Sequence, residues 1–215
     1  MIKVGIVGGT GYTGAELIRL LINHSEVEIT AVTSRSDQGT PVSDIYPNLR
    51  GHIGLSFVAP DMSYLKNCDL VFFATPHGVA QSTVPEMLNA GIKVIDLSAD
   101  FRIRDVAVWE QWYGQPHLAQ DLLDCAVYGL PEFNRAKIIK ADLVACAGCY
   151  PTSEQIGLLP LFTDGRIDMN DVIANSVSGV RVVGRQANIS NFLSEASDSF
   201  KSYGVFGHRH QPEIE

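Results

Sequence analysis

Cationic side chains are scarce in this 215-residue chain: 16 Lys and Arg stand against 24 Asp and Glu, a formal net charge of −8. No run of like charge exceeds two residues, so the clustered Lys and Arg that phosphate backbones demand are missing and a general nucleic-acid binder is excluded. Long apolar runs are missing too. The longest, such as 70–75, fall far short of the roughly 20 residues that span a bilayer. Polar or charged residues recur at Glu16, Arg19 and Asn23, which leaves no signal-peptide core near the N-terminus. No membrane partner is expected, and the expected location is the cytoplasm. Cysteine is sparse: Cys68, Cys125, Cys146 and Cys149. Irregular spacing in a reducing compartment favours free thiols. The lone C-x-x-C, Cys146 and Cys149, has no second Cys/His cluster to complete a zinc site, so no metal is expected, and a redox pair is the remaining alternative. What is left, 46% hydrophobic and 19% charged residues, is the composition of a protein with a packed core.

The stretch from Ala145 to Thr152 organises the reading. Cys149 follows an apolar run (Leu143, Val144, Ala145) and stands two residues before Pro151, a residue favoured in the first turn of a helix. At a helix N-terminus the unpaired N–H groups and the dipole favour a thiolate, lowering a free pKa of about 8.5 toward neutrality. Cys149 is then a nucleophile; the competing reading is a buried small hydrophobe, as most free cysteines are.

In chain order, the apolar run 2–7 leads into Gly8-Gly9-Thr10-Gly11-Tyr12-Thr13-Gly14 and then a helical pattern with Leu17, Ile18, Leu21 and Ile22 on one face. Strand, glycine turn and helix start in this succession cradle a dinucleotide pyrophosphate. A second strand, 27–33, ends where the adenosine ribose would lie. There the chain offers Thr33-Ser34-Arg35-Ser36 in place of an acidic residue, which suits a 2′-phosphate and so NADP; a solvated surface Arg is the alternative. Residues 39–60 read as a long loop with little regular structure. A third strand, 69–75, ends in Ala74-Thr75-Pro76-His77-Gly78 before a helical segment broken by Pro85. His77 is either a cleft residue or a solvated loop histidine. A fourth strand, 92–97, leads to Ser98-Ala99-Asp100-Phe101-Arg102, where Arg102 is a candidate anion clamp and Asp100 caps a turn or pairs with it. Trp109, Trp112 and Tyr113 at near-helical spacing predict an apolar face against the sheet.

Alternating strands and helices give a Rossmann-type, doubly wound parallel α/β sheet over residues 1–148. Residues 149–215 are expected to begin a second, α+β catalytic domain, with an apolar helix (Ile156, Leu158, Leu159, Leu161), a strand at 172–177 and a basic stretch with Arg181 and Arg185. Near its end, His208-Arg209-His210 and Glu213 resemble a catalytic group, because His shuttles protons near neutral pH and Glu can orient a histidine; a charged tail is the other reading.

These residues add up to a resemblance. The motifs 8–14, 33–35, 74–78, 97–102, Tyr128-Gly129-Leu130-Pro131-Glu132, 148–152, Ser178-Gly179-Val180 and 207–214 occur in the order found in the N-acetyl-gamma-glutamyl-phosphate reductase family, NADP-dependent enzymes of arginine biosynthesis. The chain resembles the N-terminal two-thirds of that family's length. The resemblance implies an NADP(H) cofactor contacted by Gly8, Thr10, Gly11, Tyr12, Thr13, Gly14, Ser34, Arg35, Thr75, Pro76, Ser98, Ser178 and Gly179. It implies Cys149 as nucleophile, His208 or His210 as acid/base or oxyanion donor, Glu213 orienting a histidine, and Arg102 and Arg185 holding the carboxylate and phosphate of an acyl-phosphate substrate. Three departures stand out. Cys146-Ala147 replaces the family's usual Asn-Pro, Arg181-Val182-Val183-Gly184 replaces Ser-Gly-Ala-Gly, and the chain stops at Glu215, short of the family length. Exposed strand edges at 172–177 and 203–206 are then expected to make the folded unit marginal and to be covered by association into a homo-oligomer. An NADP-binding remnant without turnover and a related reductase such as aspartate-semialdehyde dehydrogenase are the alternative functions.

Overall fold

The apolar run 2–7 and the runs that follow it pair into one parallel sheet, which the computed structural model shows in the order β2-β1-β3-β4-β6-β5. The structure describes residues 1–168 and 170–215, as two compact units, 1–147 and 148–215. In the first, β1 (Ile2–Val7), α1 (Tyr12–Leu21), β2 (Val27–Thr33), α2 (Val42–Ile45), α3 (Met62–Leu65), β3 (Leu70–Phe73), α4 (Ala80–Asn89), β4 (Lys93–Asp96), α5 (Val106–Tyr113), β5 (Val127–Gly129), α6 (Pro131–Ile138) and β6 (Leu143–Cys146) succeed one another. β1 lies between β2 and β3, so strand order reverses there, and in such sheets the ligand crevice forms outside the carboxyl ends of the strands at that switch point.

Two cores flank the sheet. On one side Val71, Phe73, Val94 and Leu143 pack with Val84 and Met87 of α4; on the other Val4, Ile6 and Val32 pack with Ile18 of α1. Each such side chain contributes roughly 1.5–3 kcal/mol on burial, which holds the strand ends, and the loops leaving them, in fixed positions.

One expectation is refined and two change. Residues 39–60 do hold little regular structure, a four-residue helix, a 3-10 turn and single bridges from Thr33 to Val58 and Pro41 to Ser56, yet Val42, Leu49 and Phe57 are buried in the second core. Gly and Pro punctuation hid three core residues too widely spaced to show a period. Pro85 does not break its helix, which runs on to Asn89. Removing one N–H donor from a helix interior costs about 3 kcal/mol, and the buried Ala80, Val84 and Met87 hold α4 against the sheet nonetheless. Third, 172–177 forms no strand. The second unit comprises α7 (Cys149–Thr163), α8 (Leu193–Ala196), α9 (Gln211–Ile214) and irregular segments, with no strand among its described residues. A strand needs a neighbouring ladder to bond its backbone, and the described residues of this unit supply none. The edge strand β5, by contrast, is three residues long and left no periodic signal.

Among the described residues, no helix is long and apolar enough to cross a membrane.

Candidate functional site

The glycine turn between β1 and α1 is required by packing. Gly8 has φ +91°, and a Cβ there would sit 2.4 Å from Ala74 O; a Cβ at Gly9 would meet Val32 Cγ1 at 2.2 Å, and one at Gly14 would meet Gly8 O at 2.3 Å. At Gly11, the N-cap of α1, the only neighbour within 4 Å is Gly8 O at 3.8 Å, and no side chain caps the helix there. The N–H groups of Tyr12, Thr13 and Gly14 therefore begin a helix that its own side chains leave uncapped, the arrangement that receives a pyrophosphate. Across the switch point, Thr75 Oγ1 is buried with no hydrogen-bond partner among the described residues, a hydroxyl placed to meet a polar ligand group; Pro76 beside it is exposed. These features fit a dinucleotide.

At the end of β2, Thr33 and Ser34 are buried and Arg35 is exposed. Thr10 Oγ1 and Ser34 Oγ share a hydrogen bond of 3.4 Å. The acid missing from 33–36 is supplied two residues past Arg35: Asp37 Oδ2 accepts from Ser34 Oγ at 2.9 Å and from Ser36 Oγ at 2.5 Å.

The third group closes β4. Asp96 is fully buried and accepts from Ser98 N at 2.9 Å and Ser98 Oγ at 2.7 Å. Burial pushes its carboxyl up to about 7, with Asp100 adding and Ser98 and Arg102 opposing. Asp100 caps a turn: its carboxylate accepts from Gly78 N at 2.7 Å and Gln81 N at 3.1 Å, so it ties the 76–78 loop to the start of α4. Arg102 donates Nη2 to Leu97 O at 2.8 Å. His77 is half-buried: its Nδ1 accepts from Ala99 N at 3.0 Å while its ring meets Tyr113 edge-on with centroids 4.9 Å apart. Trp109 is fully buried, donates Nε1 to Ala99 O at 2.9 Å and stacks on Tyr113 with ring centroids 5.0 Å apart. The sequence reading missed Asp96 and His117, whose Nε2 lies 2.6 Å from Asp100 O. A lone acid closing an apolar strand was the available signal for Asp96; nothing local marked His117.

Cys146 ends β6 in the same unit. Burial, with the Asp96 charge adding and Arg102 opposing, pushes its thiol up to about 11.

In the second unit Cys149 is exposed and is the first residue of α7, with Gly148 as N-cap in extended conformation. Tyr150, which follows it, packs its ring on His208 at 5.3 Å and His210 at 5.8 Å, and the two histidine rings lie 4.8 Å apart. Tyr150 Oη bonds Ser178 Oγ at 2.8 Å and also Tyr203 Oη. These hydroxyls join the start of α7 to the segments that carry Ser178 and the histidines. His208 Nδ1 accepts from His210 N at 3.2 Å, so a neutral His208 carries its proton on Nε2. Its pKa is lowered, first by burial and then by Arg209, with Glu154 opposing. Glu213 Oε1 accepts from Gly148 N at 2.6 Å. Gly179 precedes a short 3-10 turn, Val180–Val183, and Arg185 beyond it is exposed. Tyr150 and Tyr203 were missed as site residues because their partners are 28 and 53 positions away from Tyr150.

Thiol exposure sets an order of reactivity. Cys68 and Cys146 are shielded and their thiols are raised by burial, whereas Cys125 and Cys149 are exposed. Limiting iodoacetamide at pH 7, read by peptide mass mapping, is expected to label Cys149 first, Cys125 next and the other two last. Labelling led by Cys146 would contradict its burial and indicate a redox pair instead.

A parallel sheet whose switch point carries a glycine turn and an uncapped helix start defines a dinucleotide-binding α/β protein of Rossmann type. The chain belongs to the semialdehyde dehydrogenase family: the family model described as "Semialdehyde dehydrogenase, NAD binding domain" matches residues 3–141, and "Semialdehyde dehydrogenase, dimerisation domain" matches residues 149–215. Curated relatives named N-acetyl-gamma-glutamyl-phosphate reductase include those of Saccharophagus degradans, 60% identical over all 215 residues, and Pseudomonas syringae pv. syringae, 59% identical over the same span. The chain spans 62% of the length of each. Among solved structures, aspartate semialdehyde dehydrogenase II of Vibrio cholerae, complexed with ASA, has a TM-score of 0.58 at 15% identity, over 86% of this chain and 48% of that one. Aspartate semialdehyde dehydrogenase with NADP from Candida albicans has a TM-score of 0.54 at 18% identity, over 78% of this chain and 48% of that one. At these identities the two structures establish the shared fold.

Proposed function

We propose that the chain carries the cofactor-binding and cysteine-bearing parts of an NADPH-dependent reductase that converts N-acetyl-gamma-glutamyl phosphate to the semialdehyde with release of phosphate. The observation that carries this reading is Cys149 exposed at the first position of a 15-residue helix, with two histidines packed on the next side chain. Identity of 60% to reductases so named supports the substrate.

In this mechanism the Cys149 thiolate attacks the acyl carbon. The C–O bond to phosphate breaks, its electron pair leaves with the phosphate, and an acyl thioester remains on Cys149. The glycine turn, the start of α1 and the loop 75–76 would hold NADPH, which when bound would supply the hydride that reduces the thioester. The resulting oxyanion takes a proton from a histidine, and the same histidine accepts a proton back as the C–S bond breaks and the aldehyde leaves. His208, neutral with its proton on Nε2, can donate a hydrogen bond from that atom to the oxyanion, and full proton transfer falls to a protonated imidazole. Arg102 and Arg185, each within its own unit, are the candidate cations for the anionic groups of the substrate. The protein works as a homo-oligomer; the dimerisation-domain match over 149–215 and the exposed Ile173, Leu193, Phe200 and Phe206 support association.

NADP is proposed over NAD because Arg35 stands exposed at the end of β2. NADP(H) is expected to bind at least tenfold more tightly than NAD(H), a difference of about 1.4 kcal/mol. Arg35→Ala is expected to erase that ratio, and Asp37→Asn, which removes the carboxylate holding Ser34 and Ser36, is expected to widen it. Calorimetric titration with both cofactors measures it, and an Arg35→Ala chain that keeps its preference would sink the assignment. Turnover of the acyl phosphate with NADPH tests the reaction itself, and binding without turnover would favour a nucleotide-binding remnant.

A further inference from the structure

α7 begins without a side-chain cap of its own. Gly148 is the N-cap, and the third helical residue is Pro151, whose ring has no polar atom to reach back and which has no N–H to offer. In a capping box a Glu at that third position accepts the N-cap N–H. Here the acceptor comes from the far end of the chain: Glu213, buried on α9, takes the Gly148 N–H on Oε1 at 2.6 Å. Gln155 on the second turn of α7 returns the hold, donating Nε2 to Glu213 O at 3.0 Å. Two reciprocal bonds thus fasten α9 across the helix start. The restraint falls on a glycine, the residue whose φ and ψ are least limited by its own sterics. The peptide it holds is joined directly to the Cys149 nitrogen.

We propose that Glu213 is a positioning residue: by holding the Gly148 N–H its carboxylate fixes the peptide that presents Cys149 at the start of α7. This rests on Cys149 being the nucleophile of the proposed reaction. A hydrogen bond elsewhere on the helix would serve stability alone, but the placement, one residue before the thiol, makes two consequences measurable. Loss of the acceptor frees the Gly148 peptide and misplaces the sulfur, and a displacement near 1 Å costs about 100-fold in rate. Loss of the negative charge alone, by contrast, leaves the peptide held, because an amide oxygen at the same place accepts the same N–H. Glu154, His208, His210, Arg209, Tyr150 and Tyr203 are the other titratable groups around this helix start, and the substitutions leave all of them in place.

The test compares the full chain with Glu213→Gln, which keeps an acceptor oxygen and loses the charge, and Glu213→Ala, which loses both. Turnover with NADPH and the acyl phosphate, the rate of Cys149 alkylation by iodoacetamide at pH 7, and thermal unfolding are measured for each. For Glu213→Ala, kcat is expected to fall about 100-fold with KM within about threefold, and Glu213→Gln is expected to recover most of that loss. The Cys149 alkylation rate is expected to depart from the parent's in Glu213→Ala and to match it in Glu213→Gln. A Gln variant as impaired as the Ala variant, or an alkylation rate that Glu213→Ala leaves unchanged, would overturn the proposal. If Glu213→Ala does not fold, the Gln variant decides: a folded Gln variant that loses kcat and alkylates unlike the parent overturns it. The alkylation rate needs neither acyl phosphate nor cofactor. A parent chain without turnover therefore defeats the proposed reaction, while the alkylation rates still judge Glu213.

Discussion

Replacing Cys149 by serine is expected to lower acyl-phosphate reduction by about 10⁴-fold or more, the usual consequence of removing a nucleophile whose partners act as a unit, while nicotinamide cofactor binding stays within about twofold. The two effects separate because the glycine turn and the α1 start lie in the 1–147 unit and the thiol in the other. The neighbouring thiol is no substitute. With Cys146 pushed up to about 11, only about one molecule in 10⁴ carries a thiolate there at pH 7. Single-turnover kinetics with NADPH, read at the nicotinamide absorbance, and calorimetric cofactor titration check both halves. Residual turnover above about 1% of the parent would place the nucleophile elsewhere.

Asp96 leads to the second large effect, on stability rather than chemistry. Its carboxyl is raised from an ordinary value of 3.8 to about 7 by burial. The folded chain therefore binds a proton more tightly than the unfolded chain between these values, and stability falls as pH rises from about 4 to about 7, then levels off. At about 1.4 kcal/mol per unit, the ionised Asp96 costs up to about 4 kcal/mol relative to an exposed carboxylate. Asp96→Asn removes the titration and leaves an acceptor for Ser98 N. The variant is expected to be more stable than the parent at pH 8, and the pH dependence between 4 and 7 is expected to flatten. Urea unfolding from pH 4 to 8 measures it; parent and variant curves that run parallel across the range would show that Asp96 does not titrate as its burial demands. The same substitution should also lower the Cys146 thiol somewhat, because the Asp96 charge is one of the causes holding it up.

Cys149 opens α7 and Asp96 closes β4, and the two differ in how far the amino-acid order discloses them. Cys149 is marked by its immediate neighbours: an apolar run before it, a glycine and a proline around it, and a helical pattern after it. So is the glycine turn, whose strand-to-helix setting is complete within 22 residues. Apolar periodicity and turn residues act through contacts four or fewer positions apart, and those are present in the sequence itself. The sequence by itself therefore determined the alternation of strands and helices, the parallel Rossmann-type sheet, the glycine turn and the helix that opens on Cys149.

Only the tertiary structure decided which strands are neighbours, and with that the switch point between β1 and β3 that brings Thr75 opposite Gly8. It decided that Val42, Leu49 and Phe57 belong to a core, that Asp37 bonds the serines flanking Arg35, and that Asp96 is sealed from water. It also decided that residues 172–177 stay irregular, because a strand requires a ladder that no local pattern guarantees. Glu213 shows the division most sharply. Its chemistry was visible in the His208–Glu213 segment, but its bond to Gly148 spans 65 positions. A single hydrogen bond between distant residues leaves no period and no spacing in the chain, so it takes shape only when packing brings α9 onto the start of α7.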